Sequence, residues 1–191
     1  MSTTVTQEPP KATPWGTADS TIKVAEGIYR IYTPSHGGYW LSDERHAVVL
    51  AAFGIQSTFA GGQWYEEDCD WSLVAIAFPE HFDKHLDAAR AMLRSTRPEV
   101  YERFYCVVIP PGESYEKDRR AFMEKHREDF VVVSAHCNSD FQPVPYGFVL
   151  CHARIGGTGS KGRFLVRKDR YKARSKFGYV IQSDDAPVEE T

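Results

Sequence analysis

The segment Trp64-Tyr65-Glu66-Glu67-Asp68-Cys69-Asp70-Trp71 places four carboxylates between two tryptophans and continues into Ser72-Leu73-Val74-Ala75-Ile76-Ala77-Phe78. Neither proline nor glycine interrupts residues 64–78, so the sequence predicts one buried helix whose first turns carry the acids. At 100° per residue, Glu67 and Asp68 flank Trp71 on the apolar face. Buried carboxylates need hydrogen-bond donors, a metal ion or a shifted pKa, and each of these indicates a candidate site.

Local patterns predict the elements around this segment. Residues 22–33 are typical of two short strands joined at Glu26-Gly27. Ser42 is the expected N-cap of a helix that ends near Gly54. The helix predicted over residues 64–78, with its four acids, follows it. Pro79 and Pro98 are suited to the first turns of two further helices, and a charged helix is expected over residues 114–127.

The last third of the chain is rich in β-branched and aromatic residues. Four strands are predicted, over residues 130–137, 144–155, 163–167 and 177–181, with turns at 138–140 and at the glycine-rich loop 156–162. The fold class is therefore α+β, with a helical middle packed on a mainly antiparallel C-terminal sheet. A single domain is expected over residues 14–182, between a flexible leader (1–13) and an acidic disordered tail (183–191).

Composition bounds the class of protein. The 191 residues, 42% of them hydrophobic, suffice for one domain with a sizeable core. A run of about 18 apolar residues is missing, so no membrane span is expected, and the polar leader lacks the apolar stretch of a signal peptide. A cytoplasmic location follows as an expectation. Four widely spaced cysteines (69, 106, 137 and 151) without a Cys-x-x-Cys pair predict reduced thiols in the core.

The net charge of −3 conceals an asymmetry. Nine Lys or Arg residues against one Asp give residues 154–176 a charge of +8, so the remainder carries −11. Such a block is typical either of a solvated surface or of a site for a phosphate-bearing partner. The residues predicted to bind nucleic acid or phosphate are Lys161, Arg163, Arg167, Lys168, Arg170, Lys172 and Arg174.

A second candidate site combines His36 with Glu67 and Asp68. Two glycines follow His36 and allow a ligand or another segment to approach the imidazole closely. If folding brings the three together, they can bind Mg²⁺ or Mn²⁺ through the carboxylate oxygens, or a first-row transition metal through the imidazole as well. Without a metal, they can form a general base in which a carboxylate orients the histidine. The alternative is a plain turn at His36 and acids that stabilise a helix N-terminus. The sequence leaves the cofactor, and whether the protein is an enzyme, open.

Several motifs together resemble a known family. These are Thr13-Pro14-Trp15-Gly16, His36-Gly37-Gly38 with Leu41-Ser42, the acidic segment 64–71 with Ala77-Phe78-Pro79, and Arg163-Phe164-Leu165-Val166 with Tyr171, Arg174, Phe177 and Gly178. From Thr13 to about Gln182 the chain resembles an uncharacterised bacterial domain family found in accessory proteins of plasmids, integrated elements and phages. The resemblance implies a cytoplasmic, mobile-element setting but carries no activity.

Three functions are therefore open. The first is a mobile-element accessory protein that engages nucleic acid or a host nucleoprotein through its basic C-terminal region. The second is a small enzyme that acts on a phosphate-containing or polar metabolite with His36, Glu67 and Asp68 as catalytic residues. The third is a protein inhibitor of a host defence system. Convergence of the three residues in a cleft favours the enzyme, and a contiguous basic face favours the first function.

Overall fold

The computed structural model describes residues 7–55, 61–137 and 144–188. The chain divides into two compact units, residues 1–116 and 117–191. The turn predicted at 138–140 lies outside the described residues, as do residues 1–6 of the predicted leader and residues 189–191 of the predicted tail.

The described residues of unit 1 form six strands and four complete helices. In chain order they are β1 (Ala12–Thr13), β2 (Gly16–Thr17), β3 (Ser20–Ala25), β4 (Ile28–Tyr32), β5 (Gly37–Leu41), α1 (Asp43–Phe53), β6 (Trp64–Glu66), α2 (Trp71–Ala77), α3 (Leu86–Thr96) and α4 (Pro98–Tyr105). Two 3₁₀ turns, Pro79–His81 and Asp83–His85, join α2 to α3. Strands β1 and β2 form a small hairpin, and β3-β4-β5-β6 form an antiparallel sheet.

The ends of α1 follow the sequence signals. The Ser42 side chain accepts a hydrogen bond from the Arg45 amide, and Gly54 adopts a left-handed conformation with φ 65° while its amide donates to Leu50. These contacts satisfy groups that a helix end would otherwise leave unpaired. The predicted capped helix between Ser42 and Gly54 is confirmed, as are the two strands around Glu26-Gly27.

The central strands β4 and β5 of this sheet are largely buried on both faces, whereas the edge strand β3 is mostly exposed. One face, which includes Ile28, Leu41 and Tyr65, shares a core with helices α1 to α4. The opposite face carries a smaller cluster of Trp15, Tyr29, Ile31 and Trp40, with Trp64 packed against it. The Trp15 and Trp64 rings meet edge to face, with centroids 5.7 Å apart. The β1–β2 hairpin therefore contributes Trp15 to the hydrophobic cluster on this second face of the sheet.

The helix predicted over residues 64–78 is wrong in its first half. Trp64–Glu66 is strand β6, residues 67–70 form a turn, and only Trp71–Ala77 is helical. The physical reason is non-local: β6 pairs with β5 through Tyr39 opposite Tyr65 and Trp40 opposite Trp64. Such pairing overrides a local helical pattern and changes the face on which every acid lies.

Unit 2 is built on the antiparallel sheet β10-β9-β8-β7. Its elements are α5, which begins before the boundary between the units (Tyr115–Lys125), β7 (Phe130–His136), β8 (Phe148–Ile155), β9 (Lys161–Arg167), α6 (Lys168–Lys172) and β10 (Ala186–Pro187). One sheet face carries the core of this unit, which includes Cys151, Phe164, Val166 and Tyr179. The glycine-rich loop 156–160 joins β8 to β9, as the sequence indicated.

Two predictions for the C-terminal region need correction. Residues 177–181 are not a regular strand and make only isolated bridges, such as Val131 with Val180. The tail is not disordered over residues 184–188, because Ala186–Pro187 pairs with β9 and Val188 donates to Arg163. Asp185 is 6% exposed and accepts hydrogen bonds from the Tyr179 hydroxyl and the Gln182 amide.

The N-terminal leader is ordered from Gln7, whose side chain accepts a hydrogen bond from the Asp43 amide.

The α+β class with mainly antiparallel sheets is confirmed. No helix in the described ranges is long and apolar enough to cross a bilayer. All four cysteines are free thiols, but the prediction that they lie in the core holds fully only for Cys151; Cys69 is half-buried, while Cys106 and Cys137 are exposed.

Candidate functional site

His36, Glu67 and Asp68 line one cleft of unit 1, with a volume of about 570 Å³. Trp15, Gly37, Glu66, Cys69, Asp70, Thr96 and Arg97 complete its lining. Pairing of β5 with β6 is what brings His36, at the start of β5, to the acidic turn that follows β6. The sequence could not establish this convergence, because some 30 residues separate the two segments.

The glycine pair after His36 makes room for the walls of this cleft. A Cβ atom on Gly38 would lie 2.2 Å from the Tyr65 carbonyl oxygen and 2.4 Å from the Trp15 ring. One on Gly37 would lie 2.7 Å from the Ile31 carbonyl oxygen and 3.0 Å from the Glu67 carboxylate. Both positions therefore require glycine because of close packing.

Glu66 has a structural task. Its carboxylate accepts hydrogen bonds from the backbone amides of Asp68, Cys69 and Asp70, the last at 2.9 Å. These amides lie just before the N-terminus of α2, which is the positive end of that helix dipole. A carboxylate that already receives three donors is poorly placed to act on a ligand.

Asp70 is the buried acid of the segment. It is 1% exposed and forms an ion pair with Arg97, whose side chain is 16% exposed. Arg97 lies at the junction of α3 and α4, so this pair joins the turn before α2 to that junction. The sequence pattern placed Asp68 on a buried face, and this assignment is wrong: Asp68 is exposed, and Asp70 is the buried acid, because the segment is a turn and not a helix.

Glu67 and Asp68 differ in their contacts and in their exposure to solvent. The Glu67 carboxylate accepts from the Arg30 guanidinium at 2.9 Å, and this pair is partly buried. Asp68 and His36 are exposed at the cleft rim. Among the described residues no group of three or more His, Cys, Asp or Glu side chains is arranged to hold a metal ion.

Cys69 lies between these acids. Burial, reinforced by the negative charges of Glu66, Asp70 and Asp68, raises the pKa of its thiol. Burial is the larger of these two causes. A thiol held protonated is a weak nucleophile, so the cleft is poorly suited to cysteine-based catalysis.

Sequence reasoning missed part of the cleft wall. The sequence singles out Trp15 only through its motif and does not single out Thr96 or Arg97, nor Arg30, which pairs with Glu67 but does not line the cleft. The indole Nε1 of Trp15 is buried without an acceptor among the described residues. The cations could have been anticipated only from the rule that a buried carboxylate requires a partner.

The second candidate region is the sheet face of unit 2 opposite its core. Strand β9 alternates, with Phe164 and Val166 buried in the core and Lys161, Arg163 and Arg167 on the other face. The register places Lys161 opposite Arg154 and Arg163 opposite His152. Cationic or titratable side chains thus form two adjacent cross-strand pairs, which we call the basic face.

These side chains line a groove of about 380 Å³. Its lining comprises Val133, Ser134, His152, Ala153, Arg154, Lys161, Gly162 and Arg163, and contains no carboxylate among the described residues. A bulge between Val132 and Ser134 places Val133 outside the ladder, 51% exposed at the edge of the groove. Arg154 donates to the Thr158 carbonyl at 3.3 Å, and neither Arg154 nor Lys161 has an ion pair in the described part of the chain.

Histidines add a titratable component to the basic face. The His136 and His152 rings are 5.4 Å apart and inclined by 31°. Burial, together with the nearby His136 and Arg163, lowers the pKa of His152. The groove therefore gains positive charge only under acidic conditions at this position.

The remaining predicted cations have different surroundings. Arg167 forms a two-point ion pair with Asp169, and Arg170 pairs with Asp184 and Asp185. Arg170 thus holds the C-terminal segment in place. The other members, Lys168, Lys172 and Arg174, lie on or after α6, where Arg174 stacks on the Tyr171 ring. The prediction from sequence included Lys161 and Arg163 but omitted Arg154 and His152.

The comparisons with known proteins identify a family. A model for a domain of unknown function, DUF7007, matches residues 8–127. This range includes every residue of the cleft, whereas the basic face lies outside it. No curated protein and no solved structure matches the chain significantly. Because the match covers more than half of the sequence, the chain belongs to the DUF7007 domain family.

Proposed function

We propose that this protein binds nucleic acid through the basic face of unit 2. The observation that supports this most strongly is the register of β8 and β9, which sets Arg154 directly opposite Lys161 and His152 opposite Arg163. Like charges in directly opposed cross-strand positions destabilise a sheet. A polyanion that lies along the strands offsets this repulsion and releases its own counterions on binding.

The groove chemistry supports phosphate as the recognised group. Guanidinium and ammonium groups are the usual donors to phosphate oxygens, and Ser134 adds a hydroxyl at the same place. No carboxylate that could pair with Arg154 or Lys161 is among the residues that line the groove. The contacts are to backbone phosphates, so we expect binding with little sequence preference.

The mobile-element setting is part of this proposal. It rests on the resemblance of the sequence motifs, and nucleic-acid binding is compatible with it. A role as an inhibitor of host defence has no structural observation in its favour.

A small-ligand site in the cleft of unit 1 is the second candidate. The convergence of His36, Glu67 and Asp68 on one cavity supports it. Against it, Glu67 is paired with Arg30, and the neighbouring acids are committed to backbone amides and Arg97. If the three act together on a ligand, thermal melts of His36→Ala, Glu67→Gln and Asp68→Asn should all lose a metal- or metabolite-induced rise in Tm shown by the unaltered protein.

Fluorescence anisotropy with labelled 20-nucleotide DNA and RNA tests the main proposal. The variant Arg154→Gln/Lys161→Gln/Arg163→Gln should bind much more weakly, and its dependence of log K on log salt should be shallower by about 2, since each single-strand phosphate contact contributes roughly 0.7. Arg170 is left unchanged because its ion pairs hold the C-terminal segment.

A matched control removes the same charge elsewhere. Lys23, Lys84 and Arg90 are exposed in unit 1, and their replacement by Gln changes net charge by the same amount. This control should retain affinity and salt slope to within a small factor. Equal loss in both triple variants would reduce the effect to net charge, and absence of binding at low salt would refute the proposal.

A further inference from the structure

Tyr146 is the most exposed large hydrophobic side chain of the described residues, at 100% relative exposure. It lies two residues before β8, and the Lys168 ammonium is 5.8 Å from the centroid of its ring. An aromatic ring with open faces beside a cation can stack on another flat ring while the cation meets a phosphate.

The position of Tyr146 relates it to the basic face. Phe148 pairs with Arg167, and Arg167 lies on the same side of β9 as Lys161 and Arg163. Arg167 lies six positions after Lys161, a distance of roughly 20 Å along the strand at about 3.3 Å per residue. The cations therefore extend from one end of β9 to the other, and Tyr146 lies at the Arg167 end.

A groove of about 430 Å³ is present at this end, lined by Gly147, Phe148, Arg167, Lys168 and Asp169. Its carboxylate is occupied, because Asp169 forms the two-point pair with Arg167. This pair lowers the pKa of Asp169 and raises that of Arg167. Lys168 is left as the cation closest to the aromatic ring.

We propose that the protein selects single-stranded over double-stranded nucleic acid, with a base stacked on Tyr146, the adjacent phosphate at Lys168, and the strand continuing along the basic face. This inference rests on the proposed nucleic-acid function and specifies its substrate class. In a duplex, the faces of internal bases are already covered by their neighbours, so only an unpaired strand can offer a base to the tyrosine.

The test compares a single strand of 20 nucleotides with a duplex of the same length, each as DNA and as RNA, by fluorescence anisotropy. The unaltered protein should bind the single strand more tightly. Tyr146→Ala should weaken single-strand binding about tenfold, which corresponds to about 1.4 kcal/mol, and leave duplex binding unchanged. Tyr146→Phe should retain single-strand affinity, because phenylalanine preserves the stacking face.

Tyr32→Ala is the matched control. Tyr32 is also an exposed tyrosine, 41% accessible, with the Arg30 guanidinium 5.1 Å from its ring, but it lies in unit 1. The Tyr32→Ala variant should bind the single strand and the duplex as tightly as the unaltered protein does. If both forms bind and Tyr146→Ala affects neither, or affects both equally, the single-strand inference is overturned while the proposed function stands. If neither form binds to the unaltered protein, the proposed function itself fails.

Discussion

The acidic cleft of unit 1 and the basic face of unit 2 carry opposite charges and treat them differently. In the cleft, Glu66, Glu67 and Asp70 each have a partner within the fold: backbone amides, Arg30 and Arg97. On the basic face, Arg154 and Lys161 oppose each other without an ion pair in the described part of the chain. Removing one partner of a buried ion pair destabilises a fold, whereas removing one of two opposed like charges relieves a repulsion. The cations of the basic face are therefore better candidates for ligand binding than the acids of the cleft.

The largest expected effect concerns Asp70. The Asp70→Asn change removes the carboxylate charge that faces the largely buried Arg97 guanidinium, so it should lower the free energy of unfolding by about 3 kcal/mol or more. Urea denaturation measures this. The neighbouring Asp68→Asn change, at an exposed position, should alter stability by less than about 0.5 kcal/mol. Equal effects would show that the two acids are not distinguished by burial.

An intermediate effect is expected at Glu66. The Glu66→Gln change keeps the shape but weakens three hydrogen bonds to the amides before α2, so it should cost about 1–2 kcal/mol. Urea denaturation of this variant at neutral pH and at two salt concentrations measures the cost. An unchanged midpoint would mean that the amides find other acceptors.

A smaller effect is expected from histidine titration. Burial lowers the pKa of His46, whose Nδ1 lies 2.8 Å from the Tyr65 hydroxyl, and the pKa of His152 is lowered as well. The unfolded chain then binds more protons than the native state once pH falls toward the ordinary pKa of 6.5. Stability should therefore decline from about pH 7 to pH 5.5.

The variant His46→Gln gives the control for this decline. Replacing the imidazole removes its contribution, so the loss of stability between pH 7 and 5.5 should become shallower. Chemical denaturation at several pH values measures the slope. A steeper slope in the variant would contradict the assigned direction of the pKa shift.

Local signals predicted the parts of the fold that depend on neighbouring residues. Ser42 and Gly54 bound α1 because a cap needs only an adjacent oxygen or a left-handed residue. Local signals did not predict the structure of the acidic segment. Its strand depends on the pairing of Tyr39 with Tyr65, which lie on neighbouring strands and far apart in the sequence. Likewise, Ala186–Pro187 is ordered by β9, which an acidic tail composition does not reveal.

The candidate sites show the same division. Composition located the basic segment, and alternation along β9 put Lys161 and Arg163 on one face. The opposing residues Arg154 and His152 required the β8–β9 register, which a sequence without the hairpin geometry does not specify. In the cleft, the sequence left open whether His36 meets Glu67 and Asp68, which the structure places along one cavity, and it could not tell which acid is buried.

The sign of the stability change on removing charge tests the difference between the two regions most directly. Urea denaturation at low salt should be measured for Arg154→Gln/Lys161→Gln beside Asp70→Asn. The basic-face variant should be as stable as the unaltered protein or more stable by up to about 1 kcal/mol, because a repulsive cross-strand pair is removed, while Asp70→Asn loses stability. Destabilisation of the basic-face variant by more than about 1 kcal/mol, with nucleic-acid affinity unchanged, would contradict the account and make those cations part of the architecture.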